Sequence, residues 1–149
     1  MKIYINKHCS DISLAKKFLI ELNFGRDKNY CLEYSDNGKP NLVCDGKQAG
    51  FISISHSDGT LAMAFSDKPV GIDIERKDRK ISVYPYIEDW TKIEAYCKYT
   101  GEGLSKKAVS MKLPEHLIKT FYSDEYVVSV CGEEEIDTIA TLIDNRLAQ

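Results

Sequence analysis

None of the five cysteines (Cys9, Cys31, Cys44, Cys97 and Cys131) falls in a Cys-x-x-Cys pair. An odd count without metal-type spacing argues against a disulfide framework and against a zinc site, and it suits a reducing cytoplasm. No apolar run is long enough to span a bilayer. The opening MKIYINKHCSDIS turns polar at Asn6-Lys7, so neither a signal peptide nor a membrane anchor is expected. There is no excess of positive charge. Twenty Lys and Arg stand against 23 Asp and Glu, giving a net charge of −3, which leaves no general basic field for nucleic acid. Repeats, low-complexity tracts and Pro- or Gly-rich linkers are absent as well.

What remains is an ordinary domain: 149 residues, 43% hydrophobic and 29% charged, enough to bury a core without staples. One domain over 1–149 is expected. Charge is uneven along it. From Ala108 onward there are eight acidic and three basic residues, whereas Glu75-Arg76-Lys77-Asp78-Arg79-Lys80 is locally basic. Both stretches suit solvated surface.

The periodicities alternate between strand and helix. KIYI (2–5) reads as a strand. Ser10 or Asp11 caps a helix with Ile12, Ala15, Leu19 and Leu22 on one face, stopping near Asn23-Phe24-Gly25. YCLEY (30–34) reads as a strand and DNGKP (36–40) as a turn. FISIS (51–55), LAMAF (61–65) and VGIDIE (70–75) form a meander through the turns HSDG and SDKP. A helix begins near Glu88 or Asp89 and runs through WTKIEAYCKYT to Gly101. LIKTFY and YVVSVC form a hairpin around 123–125. The last segment places Ile136, Ile139, Ile143 and Leu147 at helical spacing, with Arg146 near its end, and reads as a helix. Mixed elements with strands arriving in hairpins predict an α+β fold.

Four stretches can carry chemistry. In VGIDIE, strand alternation puts Val70, Ile72 and Ile74 on one face and Gly71, Asp73 and Glu75 on the other. Carboxylates two apart, roughly 7 Å from Cα to Cα, suit a hard cation such as magnesium; two solvated acids are the alternative. In WTKIEAYCK, Glu94 and Lys98 share a helical face, over a stripe of Trp90, Ile93 and Cys97. They read as a surface ion pair, or as a third metal carboxylate beside an ammonium that neutralises phosphate. In FISISHSDG, Ser55, His56 and Ser57 sit where a strand meets a turn, as a hydrogen-bonded turn or a phosphate contact. A Ser/His hydrolase pair is disfavoured, since neighbours on a strand point apart and no Gly-x-Ser-x-Gly is present. In NGKP, Lys39 can reach a phosphate as a point charge.

In order, GKP, FISISHS, VGIDIE and WTKIEAYCK followed by TGEGL (ending at Leu104) resemble the motifs of the Sfp-type 4′-phosphopantetheinyl transferases. The resemblance covers about Gly38 to Leu104 closely. It implies two pseudo-symmetric α+β lobes packed together in a monomer, about 1–72 and about 73–149. It also implies a cytoplasmic enzyme that moves the 4′-phosphopantetheine of coenzyme A to a serine of an apo acyl or peptidyl carrier protein. Fatty-acid, polyketide and nonribosomal-peptide carriers all remain open as acceptors. The serine hydroxyl would attack the β-phosphorus and 3′,5′-ADP would leave. By motif position Asp73, Glu75 and Glu94 would hold Mg2+. Lys98 would touch the pyrophosphate, and Lys39, Ser55 and His56 the phosphates of the nucleotide end. Glu94 or a metal-held water would be the base. Two departures stand out. Ile93 occupies a position where the family has lysine, and only fourteen residues, Arg76 to Asp89, precede Trp90, a shorter insertion than in larger relatives. They motivate an alternative: a weakened homologue that binds coenzyme A or a carrier without efficient turnover.

Overall fold

The computed structural model describes residues 1–82, 84, 86–103 and 112–147. Leu104, the end of the TGEGL stretch, lies outside them. The elements run β1 (Lys2–Lys7), α1 (Ile12–Phe24), β2 (Tyr30–Tyr34), β3 (Pro40–Cys44), β4 (Lys47–Gln48), β5 (Phe51–Ser57), β6 (Thr60–Ser66), β7 (Val70–Arg76) and α2 (Ile87–Thr100). A short 3-10 turn (Glu115–Leu117) then leads to β8 (Ile118–Ser123), β9 (Tyr126–Gly132), β10 (Thr138–Ile143) and β11 (Arg146–Leu147). The α+β class is as expected.

Among the described residues three sheets form, ordered β11-β10-β1-β6-β5, β2-β3-β4 and β7-β9-β8. Period-2 alternation sorts the side chains into layers. On β1 and β6, Ile3, Ile5, Ala62 and Ala64 point to one side. There they meet Val70, Ile72 and Ile74 of β7 and Tyr126, Val128 and Val130 of β9. The five-stranded sheet thus faces the β7-β9-β8 sheet across an apolar core. On the other side of the five-stranded sheet, Tyr4, Leu61, Met63 and Phe65 take the apolar stripe of α1, namely Ala15, Leu19 and Ile20. α2 covers the outer face of β7-β9-β8, where Ala95 packs with Ile118 and Cys131.

α1 starts at Asp11, whose carboxylate accepts the Leu14 N–H at 3.1 Å, and stops at Gly25. Its buried stripe includes Ile20 rather than Leu22, which is exposed. Two hairpins close on Asp-Gly pairs with both residues at positive φ, Asp45-Gly46 (51° and 78°) and Asp58-Gly59 (49° and 76°). That is the type I′ geometry the strand twist favours.

The helix expected at the end of the chain is a pair of strands. β10 lies parallel to β1, with Ile3 opposite Ile139 and Ile5 opposite Thr141, and β11 turns back on β10. The run TIATLI is rich in β-branched residues, and Asp144-Asn145 closes the turn at positive φ. Ile139 and Ile143, two members of the supposed helical stripe, are 48% and 46% exposed, while Leu142 is buried in the α1 layer.

Candidate functional site

β5 and β7 are the facing edges of two different sheets, and side chains join them where a backbone ladder would otherwise run. The Ile72 N–H donates to Ser53 Oγ at 2.9 Å and the Ile74 N–H to Ser55 Oγ at 3.1 Å. Serines two apart on β5 therefore satisfy alternate amides of β7. From α2, Lys98 Nζ spans the same seam. It donates to Ile54 O at 3.1 Å, Ile72 O at 3.0 Å and Asp73 Oδ1 at 3.4 Å, using all three of its donors. Lys98 is thus more than one half of a surface ion pair.

Gly71, Asp73 and Glu75 face α2, as the alternation of β7 requires. A Cβ at Gly71 would lie 2.0 Å from Ala95 O and 2.5 Å from Tyr99 N, so glycine is what lets the helix backbone rest on the strand. The absence of a side chain at 71 lets α2 settle low enough for Glu94 and Lys98 to reach the acids.

Those acids are buried, Asp73 4% and Glu75 8% exposed. Burial drives the Asp73 carboxyl up to about 7. Lys98 and the Ser55 hydroxyl, which donates to Oδ1 at 3.0 Å, pull it down, and the charges of Glu75 and Glu94 push it higher. Asp73 Oδ2 has no hydrogen-bond partner, the one buried side-chain nitrogen or oxygen among the described residues in that position. Glu94 on α2 is half-buried, and burial raises its carboxyl too, with Lys98 and Arg79 opposing. Glu75 Oε1 is taken by Arg79, at 2.5 Å.

Among the described residues no three His, Cys, Asp or Glu side chains are gathered into a ready cage for a metal ion. The donor chemistry nevertheless suits a hard divalent cation. It comprises oxygens only, one of them buried and unpartnered on Asp73, with two further carboxylates within electrostatic reach. One of the three, Glu75, is engaged by Arg79.

Beside the acids, a cleft of about 210 Å³ runs between α2, β5 and the turn before β3, with Lys39, Ser53, Glu94 and Lys98 on its walls. The 35–39 turn is tied to the end of α2, since Asn37 Nδ2 donates to Gly101 O at 2.5 Å. Lys39 lies over Gly101, and partial burial lowers the proton affinity of its amine. The structure therefore gathers Lys39, Ser55, Asp73, Glu75, Glu94 and Lys98 around one seam and cleft. Ser55 is buried and committed to Asp73 and Ile74. His56 is exposed on β5, opposite Leu61, and is not part of the cleft wall.

Three contributors escaped the sequence reading: Ser53, Gly71 and Arg79. Ser53 had a signal, its spacing of two from Ser55. Arg79 had only its place in a basic run that suits solvated surface.

No family model matches the chain. A curated relative, the 4′-phosphopantetheinyl transferase gsp of Aneurinibacillus migulanus, is 30% identical over 114 residues, which takes in 61% of this chain and 46% of that protein. The chain thus spans less than half the length of that relative. The match supports the resemblance seen in the four motifs.

Proposed function

We propose that this protein transfers the 4′-phosphopantetheine group of coenzyme A to a serine of an apo acyl or peptidyl carrier protein, releasing 3′,5′-ADP. The observation that carries the reading is the unpartnered, buried Oδ2 of Asp73, whose Oδ1 meets Lys98, itself on the wall of a cleft shared with Lys39 and Glu94. Lys98 and Ser55 meet only Oδ1, and a buried carboxylate oxygen left without a partner is costly unless a cation or proton meets it.

Each group has a role in this reading. Asp73, Glu75 and Glu94 hold Mg2+, which when bound neutralises the pyrophosphate of the coenzyme. Lys98, fixed on two strand carbonyls, presents the remainder of its charge to the same phosphates. Lys39 meets the nucleotide-end phosphates, and its lowered proton affinity is relieved by their charge. Ser55 orients Asp73 by donating to Oδ1 and leaving Oδ2 free. His56 reaches the nucleotide end only from outside the cleft wall. Glu94, the one of the three acids on the cleft wall, accepts the proton of the attacking serine. Positioning and charge neutralisation are most of what such a transfer needs.

A second reading, coenzyme A or carrier binding without efficient turnover, is favoured by two facts. Ile93 is buried against Cys97, Tyr84 and Leu113, so α2 supplies no cation at that position. Arg79 also engages a proposed metal ligand. Incubation with Mg2+, coenzyme A and apo carriers of the fatty-acid, polyketide and nonribosomal-peptide types separates the two. The first reading expects one phosphopantetheine mass added to a carrier serine; the second expects coenzyme A or carrier binding with no such product.

A further inference from the structure

Arg79 has a place in the acid cluster that the proposed transfer does not use. Its guanidinium holds Glu75 Oε1, and its charge is stabilised by Glu75, Asp73 and Glu94 together. It faces the same three carboxylates assigned above to the metal. The turn that carries it is anchored independently of that contact. The Arg79 N–H donates to Arg76 O at 3.1 Å, and Arg76 is clamped by Asp58, Asp78 and Glu125 at 3.3, 3.0 and 3.1 Å. Glu75 is fixed in β7, while the Arg79 side chain is 51% exposed. Its outer half can therefore swing into solvent through side-chain torsions alone, leaving the backbone in place.

We propose that Arg79 is a tethered counter-ion that occupies the acid cluster in the metal-free protein and withdraws from Glu75 when a divalent cation is bound. This rests on the reading of Asp73, Glu75 and Glu94 as a metal site. The three acids lie within electrostatic reach of one another and repel, and an arginine four residues along from Glu75 relieves that repulsion without closing the site. The consequence is a metal threshold. Binding competes with the guanidinium, so the apparent affinity is reduced by the fraction of molecules in which Arg79 is away from Glu75. Glu75 is delivered to the metal only when Arg79 lets go.

The test is equilibrium Mn2+ binding to the metal-free full chain, followed by the electron paramagnetic resonance of free Mn2+, for wild type, Arg79→Gln and Asp73→Ala. Arg79→Gln is expected to bind roughly three- to tenfold more tightly than wild type. It should also melt lower without metal and gain more in melting temperature when Mn2+ is added. Asp73→Ala should lose the site. Equal or weaker binding by Arg79→Gln, with Asp73→Ala still defective, overturns the counter-ion role and leaves the metal site standing. Binding that is absent from all three proteins, or indifferent to Asp73→Ala, overturns the site itself and the role with it. A wild-type measurement covers the case in which Arg79→Gln fails to fold. With 15N-labelled arginine, the Arg79 guanidinium signals should lose the slowed rotation of an ion pair as Mg2+ is added; signals unchanged at saturating Mg2+ overturn the proposal.

Discussion

Replacing Gly71 with alanine tests how α2 is seated. The new Cβ would stand 2.0 Å from Ala95 O, whereas ordinary contact begins at 3.4 Å. The helix must therefore retreat by about 1.4 Å at that turn. Both close atoms belong to backbone, so no side-chain rotation relieves the clash. Lys98 rides on the same turn, and its bonds to Ile54 O and Ile72 O, now 3.1 and 3.0 Å, would stretch past hydrogen-bonding distance. Overpacking of this kind costs about 1–3 kcal/mol. Loss of charged hydrogen bonds to two carbonyls adds roughly 1.5–3 kcal/mol. The smaller entropy of the unfolded alanine chain returns only about 0.4–1 kcal/mol. The net destabilisation of roughly 2–5 kcal/mol corresponds to a melting temperature lower by about 5–20 °C for a domain of this size. Differential scanning calorimetry reads the first effect, and calorimetric titration with coenzyme A reads the misplacement of Lys98. A Gly71→Ala protein that melts within about 2 °C of wild type and binds coenzyme A normally would refute the seating of α2 on residue 71.

Three more outcomes follow from the site. Because Asp73 holds its proton up to about pH 7 in the folded state but only to about pH 4 when unfolded, the folded state binds the extra proton between those values, and metal-free stability falls as pH rises through them. Asp73→Asn should flatten most of that decline in urea titrations run at several pH values, leaving the smaller decline due to Glu94; an unchanged profile would contradict the burial of an ionisable Asp73. Lys98→Met removes the amine that bridges β5 and β7, so it should lower stability by about 1.5–3 kcal/mol in denaturant melts and slow carrier loading by about a hundredfold or more; a change in rate without any change in stability would disprove the bridge. Ile93→Lys places an ammonium in the apolar pocket of Cys97, Tyr84 and Leu113 at the expense of about 1.5–3 kcal/mol of burial, so it should lower the melting temperature without speeding transfer, and faster transfer at unchanged stability would show that position 93 opens to the cleft.

The seven strands and two of the three helices read from local pattern match the structure closely where local chemistry decides. The Asp11 cap, the Gly101 stop and the alternation of β7 are sequence-local, and each is found where its residues predict. One error comes from a contact distant in sequence. TIATLI carries residues at both helical and strand spacing, and pairing with β1, far away at the opposite end of the sequence, decides for strand. A second is local: Asp45-Gly46, flanked by NLVC and KQ, carries the turn signal of the β3–β4 hairpin, which the strand pattern alone does not bring out. In the site, the acids and Lys98 were legible because their chemistry is unusual for their setting. Gly71, Ser53 and Arg79 were not, since a close backbone approach, a hydroxyl bridging two sheet edges and an arginine turned inward each depend on a neighbour from another element.

The most direct measurement of the central claim is the intact mass of apo carrier proteins after incubation with coenzyme A and Mg2+, with wild type and Asp73→Ala run in parallel. The account predicts that wild type adds one phosphopantetheine to a carrier serine, that the product is absent when Mg2+ is chelated, and that Asp73→Ala yields none while remaining folded. It would be contradicted if no carrier of the three types gained that mass under conditions in which a reference transferase loads all of them, or if Asp73→Ala loaded a carrier as fast as wild type.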